Sequence, residues 1–144
     1  MLQMQGQDVW APTLQAVRPA LSSRGASLEQ LVVSNDEPHV EDLGDGVRAT
    51  GLMPTVIVPG LYKCDYPALL HVIGNRFRTC GNIVTSSPGN FFTFPYDWRR
   101  DNRFTAAKLK VLIDEQLPRW RQYYSEAKVI LIAHSMGGLM VLSR

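Results

Sequence analysis

The chain has 144 residues, the size of one ordinary domain and enough to bury a real core. Its 45% hydrophobic and 19% charged content excludes a disordered chain, and a formal net charge of +2 gives no reason to expect nucleic acid or an anionic membrane surface as a partner. The opening residues Met1 to Asp8 have neither the basic region nor the apolar stretch of a signal peptide, and no apolar run approaches the ~20 residues of a membrane span. The cellular location is left open.

Residues 1 to about 50 read as an irregular lead-in, and residues 51–144 as a sheet core. Within the lead-in, Pro12 to Ser22 can form a short helix with Leu14, Val17 and Leu21 on one side, and Ser27 to Val33 offers a second short apolar element. Ser34-Asn35-Asp36-Glu37-Pro38 is turn chemistry. Gly44-Asp45-Gly46 reads as a tight turn, with a short extended piece from Val47 to Thr50.

The pattern sharpens at Thr55-Val56-Ile57-Val58, a β-branched run closed by Pro59-Gly60, which suits a buried strand or a strand end. Tyr66 to Phe77 reads as an amphipathic helix with Pro67 in its first turn and Leu69, Leu70, Val72, Ile73 and Phe77 at helical spacing. After a polar loop from Asn82 to Asn90, Phe91-Phe92-Thr93-Phe94 looks like a strand ending at Pro95. The cluster Arg99-Arg100-Asp101-Asn102-Arg103 reads as a solvated helix start, with Asp101 or Asn102 as the cap. The helix that follows carries Phe104, Ala107, Val111, Leu112 and Leu117 on one face, and Pro118 is expected to weaken or kink its end. Lys128-Val129-Ile130-Leu131-Ile132-Ala133 is the clearest strand, apolar throughout after Lys128, as a central parallel strand covered on both faces should be. Strands alternating with helices in this order predict an α/β fold with a mostly parallel sheet and flanking helices.

That strand runs directly into His134-Ser135-Met136-Gly137-Gly138 and then the apolar Leu139 to Leu142. Strand, sharp turn and apolar helix form the setting of a nucleophilic serine, whose Oγ must project from a strained turn above the sheet. The residues two positions either side approach closely and must be small; here they are Ala133 and Gly137, with Ala133 standing where the G-x-S-x-G pattern has its first glycine. Ser135 is therefore the candidate nucleophile and the N–H of Met136 a candidate oxyanion donor at the helix start. His134 is adjacent in sequence but diverges from the serine at such a turn, so it is not expected to be the base. The two thiols, Cys64 and Cys80, are expected to be free, and the histidines show no metal-ligand spacing; neither a metal nor an organic cofactor is implied.

Phe94-Pro95-Tyr96-Asp97-Trp98-Arg99, followed by Ala133 to Gly138, resembles the lecithin:cholesterol acyltransferase family, most of all its bacterial lipase/acyltransferase branch. Gly44-Asp45-Gly46-Val47, Val58-Pro59-Gly60-Leu61 and Tyr66-Pro67-Ala68-Leu69-Leu70 add a third, weaker likeness. The resemblance implies an α/β-hydrolase fold, a Ser-Asp-His triad and the transfer or hydrolysis of fatty acyl groups on lipids. Asp97 is expected to accept from nearby backbone or from Arg99 while Trp98 packs under a loop; the sharper alternative has Tyr96 or Trp98 lining an acyl pocket. If Val56 to Leu61 were the first core strand, Leu61 N–H would be the second oxyanion donor; the Gly44 lead-in favours a later segment of the family instead. In this fold the acid and the histidine follow the serine, so both are expected beyond Arg144, the fold is expected to be truncated after the elbow, and the chain alone is expected to be a poor esterase. The alternative is a shortened, non-catalytic relative that binds a lipid or a protein partner.

Overall fold

The computed structural model describes residues 1–10, 29, 31–33, 36, 38–58, 62–80 and 89–142. Its first element is one the lead-in reading left out. Strands β1 (Leu2–Met4) and β2 (Gln7–Trp10) form an antiparallel hairpin in which Met4 faces Gln7. The two residues between them, Gln5 and Gly6, have φ of 51° and 79°. Positive φ at both central positions is the type I′ turn, whose twist matches that of the flanking strands. Strand β3 (Val47–Ala49) pairs with the other edge of β1, placing Leu2 opposite Ala49 and giving a three-stranded sheet in the order β2-β1-β3. Leu2, on the central strand, is fully buried.

The expected turn at Gly44-Asp45-Gly46 delivers β3. Gly44 and Gly46 sit at φ 72° and 70°, and two aspartates close the bend: Gly44 N–H donates to Asp42 Oδ1 and Val47 N–H to Asp45 Oδ1, both at 2.9 Å. Val56 to Val58 is the expected strand, β4, but it pairs antiparallel with β5 (Tyr62–Cys64) in a separate two-stranded sheet. Every strand pair among the described residues is antiparallel, so the mostly parallel sheet expected from the sequence is not seen in them. Both hairpins are closed by connections far shorter than the dozen or more residues a parallel crossover needs.

Helix α1 (Tyr66–Arg76) and helix α2 (Asn102–Arg121) form where the periodicity placed them. Asp65 caps α1, its side chain accepting from Ala68 N–H, and Pro67 lies in the first turn. Asp101 caps α2 by accepting from Arg103 N–H at 2.7 Å. Pro118 does not end α2, which continues to Arg121, where Arg119 and Arg121 suit the negative end of the helix dipole. No residue of α1 is fully buried: Leu70 and Ile73 are half-buried, and Leu69 and Val72 are exposed. Helix α3 (Met136–Leu142) touches α2, and each of the two has one buried apolar side chain, Met140 and Leu109.

Two expected strands do not form ladders. Residues 91–97 and 127–134 carry no strand pairing, and Ile130 is 84% exposed. An apolar run becomes a strand only when another strand satisfies its N–H and C=O groups, and none does so for these runs among the described residues. Asn90 fixes the approach to the first run: its N–H donates to Cys80 O, its Oδ1 accepts from Cys80 N–H, and its Nδ2 donates to Arg78 O. The short helix expected at Pro12 to Ser22 lies outside the described residues. Of Ser27 to Val33, Glu29 and Leu31 belong to a 3₁₀ turn in which Val32 N–H donates to Glu29 O. Cys80 is a free, exposed thiol.

Candidate active site

Ser135 stands between the apolar run Val129 to Ala133 and α3 with φ of 55°, in the left-handed region that residues other than glycine rarely enter. Two backbone bonds hold it there: Gly137 N–H donates to His134 O at 3.1 Å, and Gly138 N–H donates to Ser135 O at 2.9 Å. The serine is exposed, Met136 opens the helix half-buried, and Gly137 is buried.

The tightness of the turn is measured at Gly137. A Cβ there would stand 3.7 Å from Ala133 Cβ and 3.6 Å from the Tyr96 hydroxyl. Residues two positions either side of the serine therefore do meet, and both distances are ordinary van der Waals contact, so Ala133 fits where the usual pattern has glycine. Tyr96 is thereby brought against the elbow, stacked on Phe94 with ring centroids 6.3 Å apart, and burial pushes its hydroxyl above the ordinary phenol pKa. His134 meets a residue from a distant part of the chain. Its Nδ1 lies 3.3 Å from the Tyr66 hydroxyl, and the two rings are edge to face at 6.0 Å. Sequence spacing carried no hint of this contact, because 68 positions separate the pair.

The Pro95 to Arg99 block holds a charge cluster. Arg99 grips Asp97 with both ends of its guanidinium, Nε to Oδ1 at 2.9 Å and Nη2 to Oδ2 at 2.6 Å, and Nη2 also donates to Asp45 Oδ2 at 2.8 Å. Its side chain is only 2% exposed. The hydrogen bonds that Arg99 donates to Asp97, opposed by burial and joined by the one to Asp45, raise its pKa above the ordinary guanidinium value. Arg100 is buried beside it, donating to Asp36 Oδ1 at 2.7 Å and to Val40 O, with its guanidinium 3.8 Å above the Phe104 ring. The reading of residues 99–103 as a solvated helix start is thus corrected: carboxylates from the lead-in draw Arg99 and Arg100 inside, and of the three arginines only Arg103 stays out in solvent. Trp98 is exposed at the same turn rather than packed under a loop.

An open groove of about 430 Å³ runs between β3 and the start of α2, lined among others by Asp42, Val47, Phe94, Tyr96, Phe104 and Lys108. Tyr96 is part of its wall; Trp98 is not. Leu61, with Pro59 and Gly60, lies outside the described residues. Among the described residues there is no group of three or more potential metal ligands, and no helix is long and apolar enough to cross a membrane.

Residues 63–143 match the family model described as lecithin:cholesterol acyltransferase. The matched segment contains the Pro95 to Arg99 block and the serine turn, while the Gly44 turn falls before it. No curated protein and no solved structure matches the chain.

Proposed function

The chain belongs to the lecithin:cholesterol acyltransferase family, which supports acyltransferase or lipase-type activity on lipid substrates in general, and from that premise we propose that Ser135 is the nucleophile that carries the acyl group. The observation that carries the proposal is the φ of 55° at Ser135, held between an apolar run and a helix start. A serine in left-handed backbone is strained, and such strain persists where the surrounding structure and a function require it. The exposure of the serine leaves its Oγ open to attack an ester carbonyl.

In this reading Ser135 Oγ adds to the carbonyl carbon of a fatty acyl ester. The Met136 N–H, at the start of α3, donates to the oxygen that becomes negative. Collapse of the tetrahedral species breaks the carbonyl–alkoxy bond, the departing oxygen takes up the proton that Ser135 Oγ gave up and leaves as the alcohol, and the acyl-enzyme is then resolved by water or a second alcohol. Residues 129–133 are the central strand of a parallel α/β-hydrolase sheet in the same reading, which accounts for a run apolar on both faces. Arg99 and Asp97 hold the loop that brings Tyr96 to the elbow, and Tyr96 joins the wall of the acyl site.

The test uses the protein expressed from its complete open reading frame. A fluorophosphonate probe is expected to label Ser135, with the adduct mapped by mass spectrometry, and Ser135→Ala is expected to remove the label and to lower ester turnover by about 10⁴-fold or more. Label that persists in the alanine variant, or maps to another residue, defeats the assignment.

A further inference from the structure

His134 is joined at both ends of the residue to something that defines the elbow. Its carbonyl accepts from Gly137 N–H, one of the two bonds that close the turn around Ser135, and its ring meets Tyr66. Tyr66 is the first residue of α1, and the position of that helix start is itself determined by Asp65. The Asp65 carboxylate accepts from Ala68 N–H at 3.0 Å, capping the helix, and from the Thr55 hydroxyl at 2.9 Å, tying the cap to the residue that precedes β4. A continuous set of polar contacts therefore runs from Thr55 through Asp65 to the start of α1, and through Tyr66 to the residue before the serine.

We infer that Tyr66 is a positioning residue for Ser135: its hydroxyl hydrogen-bonds His134 Nδ1 and through His134 clamps the strained turn. The backbone strain at Ser135 gives the clamp its purpose. A left-handed serine relaxes toward ordinary backbone unless neighbouring groups are held, and His134 is the immediate neighbour whose side chain is gripped from another element. The edge-to-face ring contact supplies the packing part of the grip and the hydroxyl the directional part. The same contact keeps the imidazole turned toward α1, and so gives an exposed histidine next to a nucleophile a role other than that of base. The inference rests on the proposed nucleophile for its consequence in catalysis, while the clamp itself is observable without turnover.

Tyr66→Phe keeps the ring and removes only the hydroxyl. Nitrogen NMR of the His134 ring is expected to show the Nδ1 signal moving when the hydroxyl is lost. Amide hydrogen exchange at Gly137 and Gly138 is expected to accelerate by about 2- to 10-fold, the equivalent of one ordinary hydrogen bond, with the central amides of α2 unchanged as the internal reference. In the protein from the complete reading frame, fluorophosphonate labelling of Ser135 is expected to slow by a similar factor. An unmoved Nδ1 signal together with unchanged exchange at the two glycines overturns the clamp. If those two readouts shift and Ser135 is not labelled even in the unmodified protein, the nucleophile reading fails and the clamp stands.

Discussion

A serine at φ 55° is held against its own preference, since left-handed backbone costs an L-residue roughly 1–2 kcal/mol. Glycine does not incur that cost, although it loses more freedom on folding. Replacing Ser135 by glycine is therefore expected to raise stability over Ser135→Ala by about 1 kcal/mol, while both variants lose the hydroxyl. Urea unfolding of the two side by side checks this; equal midpoints would show that the turn stores no strain. The second residue-scale feature is the buried Arg99. Asp97 meets it with two oxygens and is itself mostly buried, whereas Asp45 gives one oxygen from a more exposed position. Asp97→Ala leaves a desolvated guanidinium short of its main partner and should cost about 3 kcal/mol. Asp45→Ala should cost about 1 kcal/mol or less, as solvent screens that pair. The reverse order in thermal or urea melts would refute this partition.

Asp45 also sets a pH dependence. Burial pushes its pKa up, but the hydrogen bond from Val47 N–H and the Arg99 guanidinium outweigh burial and hold it below the ordinary carboxylate value. A depressed folded pKa means that the contribution is complete above the unfolded value, near ~4, and is lost as pH falls through the lower folded value. Asp45→Asn should flatten the loss of stability on that acid limb and leave the slope at neutral pH unchanged. An acid limb identical in the two proteins sinks this reading.

Among the elements, the helices and turns stand on local chemistry and the extended runs do not. Helix α2 has a capping aspartate, a long periodic face and arginines in its last turn, and it forms over its full length despite Pro118. The β1–β2 hairpin also has a local cause in Gln5-Gly6, a two-residue turn whose backbone selects the pairing by itself. Residues 91–94 and 129–133 have strand composition, but their hydrogen-bonding partners must come from elsewhere in the fold. Composition makes such a run ready to pair and does not supply the neighbour.

For the whole molecule the consequence is exposed apolar surface. Val129 to Ile132 are all exposed, Ile130 and Ile132 most of all at 84% and 63%, with Leu139 and Leu142 of α3 and Leu69 and Val72 of α1 also in solvent. Such a surface with free backbone groups is a template for association. The 144-residue chain is therefore expected to self-associate with rising concentration in light scattering or sedimentation. The double variant Ile130→Lys, Ile132→Lys should suppress this without moving the urea midpoint, since neither side chain contributes to a buried core. A wild-type chain that stays monomeric at high concentration, with the run protected from hydrogen exchange, would show that the surface is covered in solution.

The residues alone were enough for the two long helices and the Asp101 cap of the second, the Gly44 to Gly46 turn, the serine turn and the family, because each depends on short-range geometry or on a compact motif; the Asp65 cap of α1 was not read from them. Strain at Ser135 follows from the residues beside it, so it could be anticipated from Ala133 to Gly138. Tertiary structure decided what depends on distant partners. It buried Arg99 and Arg100 by bringing Asp45 and Asp36 across more than fifty positions, turning an apparent solvated cluster into an internal one. It set Tyr66 on His134 and Tyr96 on Gly137, contacts no spacing rule encodes. It also withheld ladders from the two best strand-like runs, since a strand is a property of a pair of segments, and one segment's sequence specifies only half of the pair.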